Sequence, residues 1–225
     1  MSPLRNERHS RRVLLKTGPF FLGSFALAAC SQRLAGSSLE GSDPSAQAQT
    51  LPATPACGDD PTPPQTSGPF YRLNSPERTS LLEPGFTGTP IRLTGQVLST
   101  NCQPIAGARL EFWHTNAQGE YDNVGNTFRG SQFTDANGRY QLETIAPGIY
   151  PGRTRHIHVR IKSPNQPADQ PALTTQLYFP DEPLNEGDFL YQPELLMAVD
   201  NSGVGAASPA ENRPQAQFNF VLAVA

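Results

Sequence analysis

His156 and His158 stand two residues apart in Arg155–Lys162, a stretch whose residue types predict a β-strand. Side chains at i and i+2 of a strand share one face, so both imidazoles can converge on one metal ion. Ile157, Val159 and Ile161 then supply an apolar opposite face. The pair also fits the exposed polar face of an ordinary strand, and a tight site needs two more ligands. No Cys is spare for a thiolate centre, and no Asp or Glu has a distinctive spacing to the pair. Tyr150, six residues before His156, and Tyr121, which ends Gly119-Glu120-Tyr121, are more suggestive. Phenolate is a hard anionic oxygen donor that suits ferric iron. A metal ion can hold it deprotonated well below its free pKa of about 10. Tyr140 and Tyr178 are expected as half-buried aromatics at strand ends. His114, beside Trp113, is expected as a surface or packing residue, and Arg129 and Arg139 as members of local ion pairs. Glu186 and Asp188 have no readable role.

The elements that must position these groups are strands. Pro (23) and Gly (19) make up about a fifth of the 225 residues, against a helical bundle and for short strands joined by turns. Candidate strands are Ile91–Ser99, Ala108–Trp113, Gly130–Thr134, Arg139–Thr144, Arg155–Lys162, Leu173–Phe179 and Gln217–Val224. Asp135-Ala136-Asn137-Gly138 reads as a hairpin-like connection. Pro193–Val199 allows at most a short turn of helix. The fold class is therefore all-β: a β-sandwich with long loops that hold the site, preceded by a disordered N-terminal signal and linker.

Charge is uneven along the chain. Residues 1–29 carry five bases and one acid, leaving 12 bases and 19 acids beyond them. That balance implies no basic surface for nucleic acid. Ser10-Arg11-Arg12-Val13-Leu14-Leu15-Lys16 looks like a twin-arginine export signal. The uncharged run from Thr17 to Ala29 is too short for a stable membrane span but suits a signal-peptide core. Leu27-Ala28-Ala29-Cys30 resembles a lipobox whose Cys is lipidated. The expected layout is a signal at 1–29, a flexible linker at 30–60 rich in Ser, Ala, Gly, Pro and Gln, and a domain at 61–225. The expected location is the periplasm or cell envelope, with the membrane engaged through Cys30. With Cys30 assigned to lipid, Cys57 and Cys102 remain, and an exported protein favours their pairing in a disulfide.

Thr62–Tyr71 (TPPQTSGPFY), Leu110–Tyr121 (LEFWHTNAQGEY), Phe128-Arg129-Gly130, Thr134–Tyr140 (TDANGRY), Thr144–Tyr150 (TIAPGIY), His156-Ile157-His158 and Thr175–Phe179 (TQLYF) occur in that order. Together they resemble the intradiol ring-cleavage dioxygenases, over about residues 60 to 200. The likeness is to small exported members that lack the N-terminal helical dimerisation region of the soluble catechol enzymes. The placement of Cys57 and Cys102 also looks like that group.

The resemblance implies a non-haem ferric iron, Fe(3+), with Tyr121 and His156 as equatorial ligands and Tyr150 and His158 as axial ones. It implies that Tyr150 takes a proton from a catechol substrate and that Arg153 stabilises charge on the ring. Gln176 would lie near that ring. The reaction uses O2 and yields a muconate-type dicarboxylic acid. Arg155, directly before His156, leaves open which arginine faces the iron. The substituents of the catechol and the oligomeric state have no code in the sequence. Two other readings compete: an iron-free β-sandwich that binds or supports other components of the cell envelope, and a copper or zinc site, for which three His beyond residue 30 are few.

Overall fold

In a computed structural model of the chain, residues 60–164, 166–167, 170–205 and 212–224 are described. The expected signal peptide, most of the linker and Cys57 lie outside these residues. Among the described residues nine strands run in chain order: β1 (Pro90–Ser99), β2 (Arg109–Trp113), β3 (Arg129–Phe133), β4 (Arg139–Ile145), β5 (His156–Lys162), β6 (Leu173–Tyr178), β7 (Ala198–Asp200), β8 (Gln215–Gln217) and β9 (Phe220–Leu222). They form two sheets, as the composition predicts. One has the order β4-β1-β8-β7, with β9 also on β1; the other has the order β3-β2-β5-β6.

The core lies between the sheets and follows from alternation along the strands. Leu93, Val97 and Leu142 of the five-stranded sheet are fully buried, as are Leu110, Phe112, Ile157, Val159, Ile161 and Leu177 of the four-stranded one. The apolar face expected of β5 is therefore core. Two short 3-10 turns, Asn185–Gly187 and Pro193–Leu195, are the only helical elements among the described residues. The second falls inside the stretch that allowed a turn of helix.

Two expectations need correction. Asp135–Gly138 closes a tight turn, with Gly138 N–H donating to Asp135 O at 3.0 Å and Gly138 at φ 70°. Yet β3 belongs to one sheet and β4 to the other. The turn crosses between layers and is no hairpin. The strand expected over Gln217–Val224 is two strands, because the chain breaks step with β1 at Phe218 and Asn219. Asn219 Oδ1 accepts the Gln96 N–H at 2.9 Å, a side chain taking over one bond of the ladder. Gly95 permits that close approach: a Cβ built there would sit 1.7 Å from Phe218 O.

The segment from Thr62 to Leu81 positions the site. It runs as a strap across the outer face of the four-stranded sheet. Gln65 N–H donates to Thr174 O on β6 at 2.7 Å, and Thr175 Oγ1 donates to Pro63 O at 2.8 Å. Farther on, Arg78 N–H and Ser131 O on β3 meet at 2.8 Å, and Leu81 N–H reaches Glu143 O on β4 at 2.8 Å.

Candidate metal centre

The strap removes water from a sheet face that would otherwise be exposed. His156 and His158 project from β5 into that covered space, each at most 4% exposed. Tyr121 comes from the loop after β2 and Tyr150 from the segment after β4. These four side chains converge. Ring centroids are 4.8 Å apart for His156 and His158, 5.6 Å for Tyr150 and His156, 5.9 Å for Tyr121 and Tyr150, and 6.3 Å for Tyr121 and His158. Phe70 of the strap stacks on Tyr121 at 4.3 Å, and Trp113 lies parallel to His158 at 4.9 Å. Gly68, at φ +65°, passes over His158, where a Cβ would stand 3.5 Å from Cε1.

Tyr121 Oη, His156 Nε2 and His158 Nδ1 are buried without a hydrogen-bond partner. Each such group forfeits about 1–3 kcal/mol unless something else satisfies it. His156 Nδ1 is 2.7 Å from Thr154 O. A carbonyl can only accept, so Nδ1 carries the proton and Nε2 presents its lone pair inward. Burial, reinforced by the nearby Arg153 charge, pushes His156 down to about 4. Burial, then His156 and Arg153, pushes His158 well below its ordinary value. Both imidazoles are therefore neutral, the form that ligates metals. Burial and the adjacent Tyr150 push the Tyr121 hydroxyl far above its ordinary value. Phenol and imidazole donors sharing one dry space, with lone pairs unspent, fit a hard cation, which would reverse the penalty on the phenolate. Among the described residues, no group of three or more His, Cys, Asp or Glu side chains could hold a metal ion. A cation here would have to take its remaining donors from the phenols.

The two arginines separate clearly. Arg153 faces the centre: Nη1 donates to Tyr150 Oη at 3.2 Å, and Nη2 donates to Gln176 Oε1 at 2.5 Å. Gln176 is fully buried and donates in turn to Thr66 O of the strap at 3.3 Å. Arg155 turns away, paired with Glu182 at 2.5 Å and donating to Pro147 O. A recess of about 120 Å³, lined by Gly152, Arg153, Leu184, Gly187 and Asp188, adjoins the Arg153 side. A larger one of about 710 Å³ lies over β1, β4 and β8 and shares no residue with the four converging side chains.

Sequence reasoning missed Asp188. Its carboxylate pairs with Arg153 Nε at 2.9 Å and is 1% exposed. The available signal was physical: a buried arginine requires a counter-charge, and the acids of 181–200 were candidates. His114 is a packing residue, fully enclosed. Its Nδ1 donates to Thr115 O at 2.7 Å and its Nε2 meets Thr144 Oγ1 at 2.6 Å. Three expectations are corrected. Tyr140 and Tyr178 are fully buried, since both sheet faces they touch are covered. Arg129 is also buried and spends its donors on Phe70 O at 2.8 Å and Asp122 O at 3.0 Å, with no ion pair.

The dioxygenase family profile matches residues 67–224. The chain is similar to the catechol 1,2-dioxygenase of Pseudomonas sp. (strain EST1001), 27% identical over 183 residues, 69% of this chain and 57% of that protein. It is similar to the protocatechuate 3,4-dioxygenase beta chain of Burkholderia cepacia, 34% identical over 122 residues, 47% of this chain and 51% of that one. The chain thus spans little more than half the length of either relative. Among solved structures it resembles the dioxygenase domain of a dioxygenase carbohydrate-binding protein fusion from the cellulolytic bacterium Streptomyces sp. SirexAA-E. That match has 47% identity and a TM-score of 0.66, covering 74% of this chain and 100% of that domain. The matched span takes in the nine described strands, most of the strap and every side chain that converges beneath it, and on these grounds the chain belongs to the intradiol ring-cleavage dioxygenase family.

Proposed function

We propose that the protein is a non-haem ferric dioxygenase that cleaves a catechol between its two hydroxyl-bearing carbons, with O2, to a muconate-type diacid. The observation that carries this reading is the buried Tyr121 Oη and His156 Nε2, unpartnered and converging with Tyr150 and His158. An iron-free binding domain gains nothing from that desolvated cluster. Tyr121, Tyr150, His156 and His158 would hold the iron, which when bound supplies a Lewis acid that draws charge from the catecholate ring.

The chain's own groups do the rest. Tyr150, which bound iron would hold as a phenolate, would take the proton of one substrate hydroxyl onto Oη, so that no separate base is needed. Arg153, already donating to Tyr150 Oη at 3.2 Å, offers a fixed cation to the negative charge that develops on the substrate oxygen. Gln176 keeps the guanidinium from swinging away. Phe70 and Trp113 exclude bulk water from the two ring faces they cover.

The test is direct. Protein purified with iron should be burgundy from tyrosinate-to-iron charge transfer, should shift colour with catechol under nitrogen, and should consume O2 while forming a muconate. An iron-replete, colourless and inert preparation would falsify the reading.

Two further parts are proposed with it. The chain is exported by the twin-arginine route and lipidated at Cys30, and metabolic labelling with a fatty acid, lost in Cys30→Ser, tests this. The second is a Cys57–Cys102 bridge. Cys102 is disulfide-bonded, which supports the pairing. Non-reducing mass mapping would identify its partner.

A further inference from the structure

Asp188 lies in the segment between β6 and β7, eleven residues before Val199, and touches none of the four converging side chains directly. Its carboxylate nevertheless accepts four hydrogen bonds from three donors. Arg153 Nε reaches both oxygens, Oδ1 at 3.1 Å and Oδ2 at 2.9 Å. Thr154 N–H donates to Oδ2 at 2.8 Å, and Leu190 N–H to Oδ1 at 2.9 Å. So one buried anion grips a side chain, the backbone next to it and its own loop. The Arg153 guanidinium has its Nε edge on Asp188, its Nη1 on Tyr150 and its Nη2 on Gln176. Three contacts on a planar fork leave one orientation. The second arm of the hub acts through Thr154, whose N–H Asp188 fixes and whose carbonyl sets the His156 tautomer. Thr154 Oγ1 is tied to the same loop through Asn185 Oδ1 at 2.8 Å.

We propose that Asp188 is a positioning residue. It locks the Arg153 guanidinium onto Tyr150 and anchors the backbone that orients His156, so that the loop Asn185–Leu190 and the centre form one mechanical unit. This rests on the ring-cleavage reading above for its catalytic consequence, but not for its geometry.

The test uses the full-length chain and three variants: Asp188→Asn, Arg153→Ala and the double variant. Asn keeps the shape and one acceptor oxygen while removing the charge that holds Nε. In metal-free protein labelled with 15N-arginine, the Arg153 Nε–H should exchange slowly in the wild type and fast in Asp188→Asn. In iron-loaded protein, Asp188→Asn should retain iron stoichiometry, shift the visible band, and lower kcat about tenfold or more, the scale of losing a supporting partner. The KM should change less than kcat. Adding Asp188→Asn to Arg153→Ala should lower kcat little further, because the two act as one unit.

Unchanged Nε–H exchange in Asp188→Asn overturns the proposal, and so do losses that simply add in the double variant. A wild type that takes up iron yet shows neither colour nor turnover removes the ring-cleavage reading instead. The exchange measurement still decides the anchoring.

Discussion

β4 and β5 carry the same kind of residue alternation and end in opposite environments. In β4, Arg139 and Gln141 are exposed, while Tyr140 and Leu142 face the core. In β5, Ile157, Val159 and Ile161 face the core, and His156, His158 and Arg160 on the other face are buried as well. The strap makes the difference. It crosses the outer face of β5 and only reaches the end of β4, at Glu143. Polar groups on β4 therefore meet water, whereas those on β5 must find partners or go without. On β2, next to β5, Glu111 answers that demand. It accepts from Tyr71 Oη at 2.9 Å and pairs with Arg109 at 3.3 Å and Arg160 at 3.4 Å. A cluster left partly unpaired on a covered face marks a place built for something other than stability.

Substitutions can break or sharpen this contrast. The largest effect is expected where the unpaired donors sit. Tyr121→Phe should weaken and shift the visible band of iron-loaded protein, leaving only the Tyr150 contribution, and reduce turnover by more than about 100-fold, beyond what losing a supporting partner does. The far-UV circular dichroism should stay unchanged. An unchanged band would show that Tyr121 holds no metal.

Next comes the covered ion cluster. Glu111→Ala removes the buried carboxylate that Tyr71, Arg109 and Arg160 share, and should lower unfolding free energy by about 3 kcal/mol. Chemical denaturation measures it, and a change below about 1 kcal/mol would mean that water reaches that face.

A smaller effect concerns His114, pushed from 6.5 down to about 4 by burial. It stays neutral in the fold, whereas the unfolded chain binds a proton below its ordinary pKa. Stability is thus fully present above about 6.5 and falls as pH drops towards 4. The loss of urea midpoint between pH 7 and pH 4.5 should be shallower in His114→Gln than in the parent. Equal slopes would remove His114 as a contributor.

The smallest effect belongs to the open face. Glu143 on β4 pairs with Arg92 and Arg213, both at 3.2 Å, but its side chain is 27% exposed. Glu143→Ala should cost about 1 kcal/mol or less. A loss matching that of Glu111→Ala would erase the distinction between the two faces.

Much of this arrangement is legible in the residues themselves. Residue types and turn signals located seven strand regions, with partial alternation in Ile91–Ser99 and Ala108–Trp113, because a half-buried strand must alternate. The pairing of His156 with His158 on one face follows from the same period. The two phenols join them through family motifs rather than through spacing, since the loops carrying Tyr121 and Tyr150 have no periodicity to read. Burial of both faces of β5 was not legible. It depends on a strap more than 70 residues away in sequence, held mostly by backbone hydrogen bonds that any residue type can make. Asp188 was missed for a related reason: an acid in an irregular loop looks solvated until the fold brings a buried guanidinium to it. The break at Phe218–Asn219 also escaped, because an Asn side chain that replaces a backbone acceptor leaves no pattern of hydrophobicity.

The strap has a temporal consequence. Thr62 is held by Val221: its N–H donates to Val221 O at 2.9 Å, and its Oγ1 accepts the Val221 N–H at 2.8 Å, across 159 residues of sequence. A ribosome makes Thr62 of the cover 159 residues before its fastening at Val221. Closure of so long a loop comes late and slowly, so the nascent chain keeps an open vestibule until Val221 has been made. An ion can enter through that vestibule before the lid is latched.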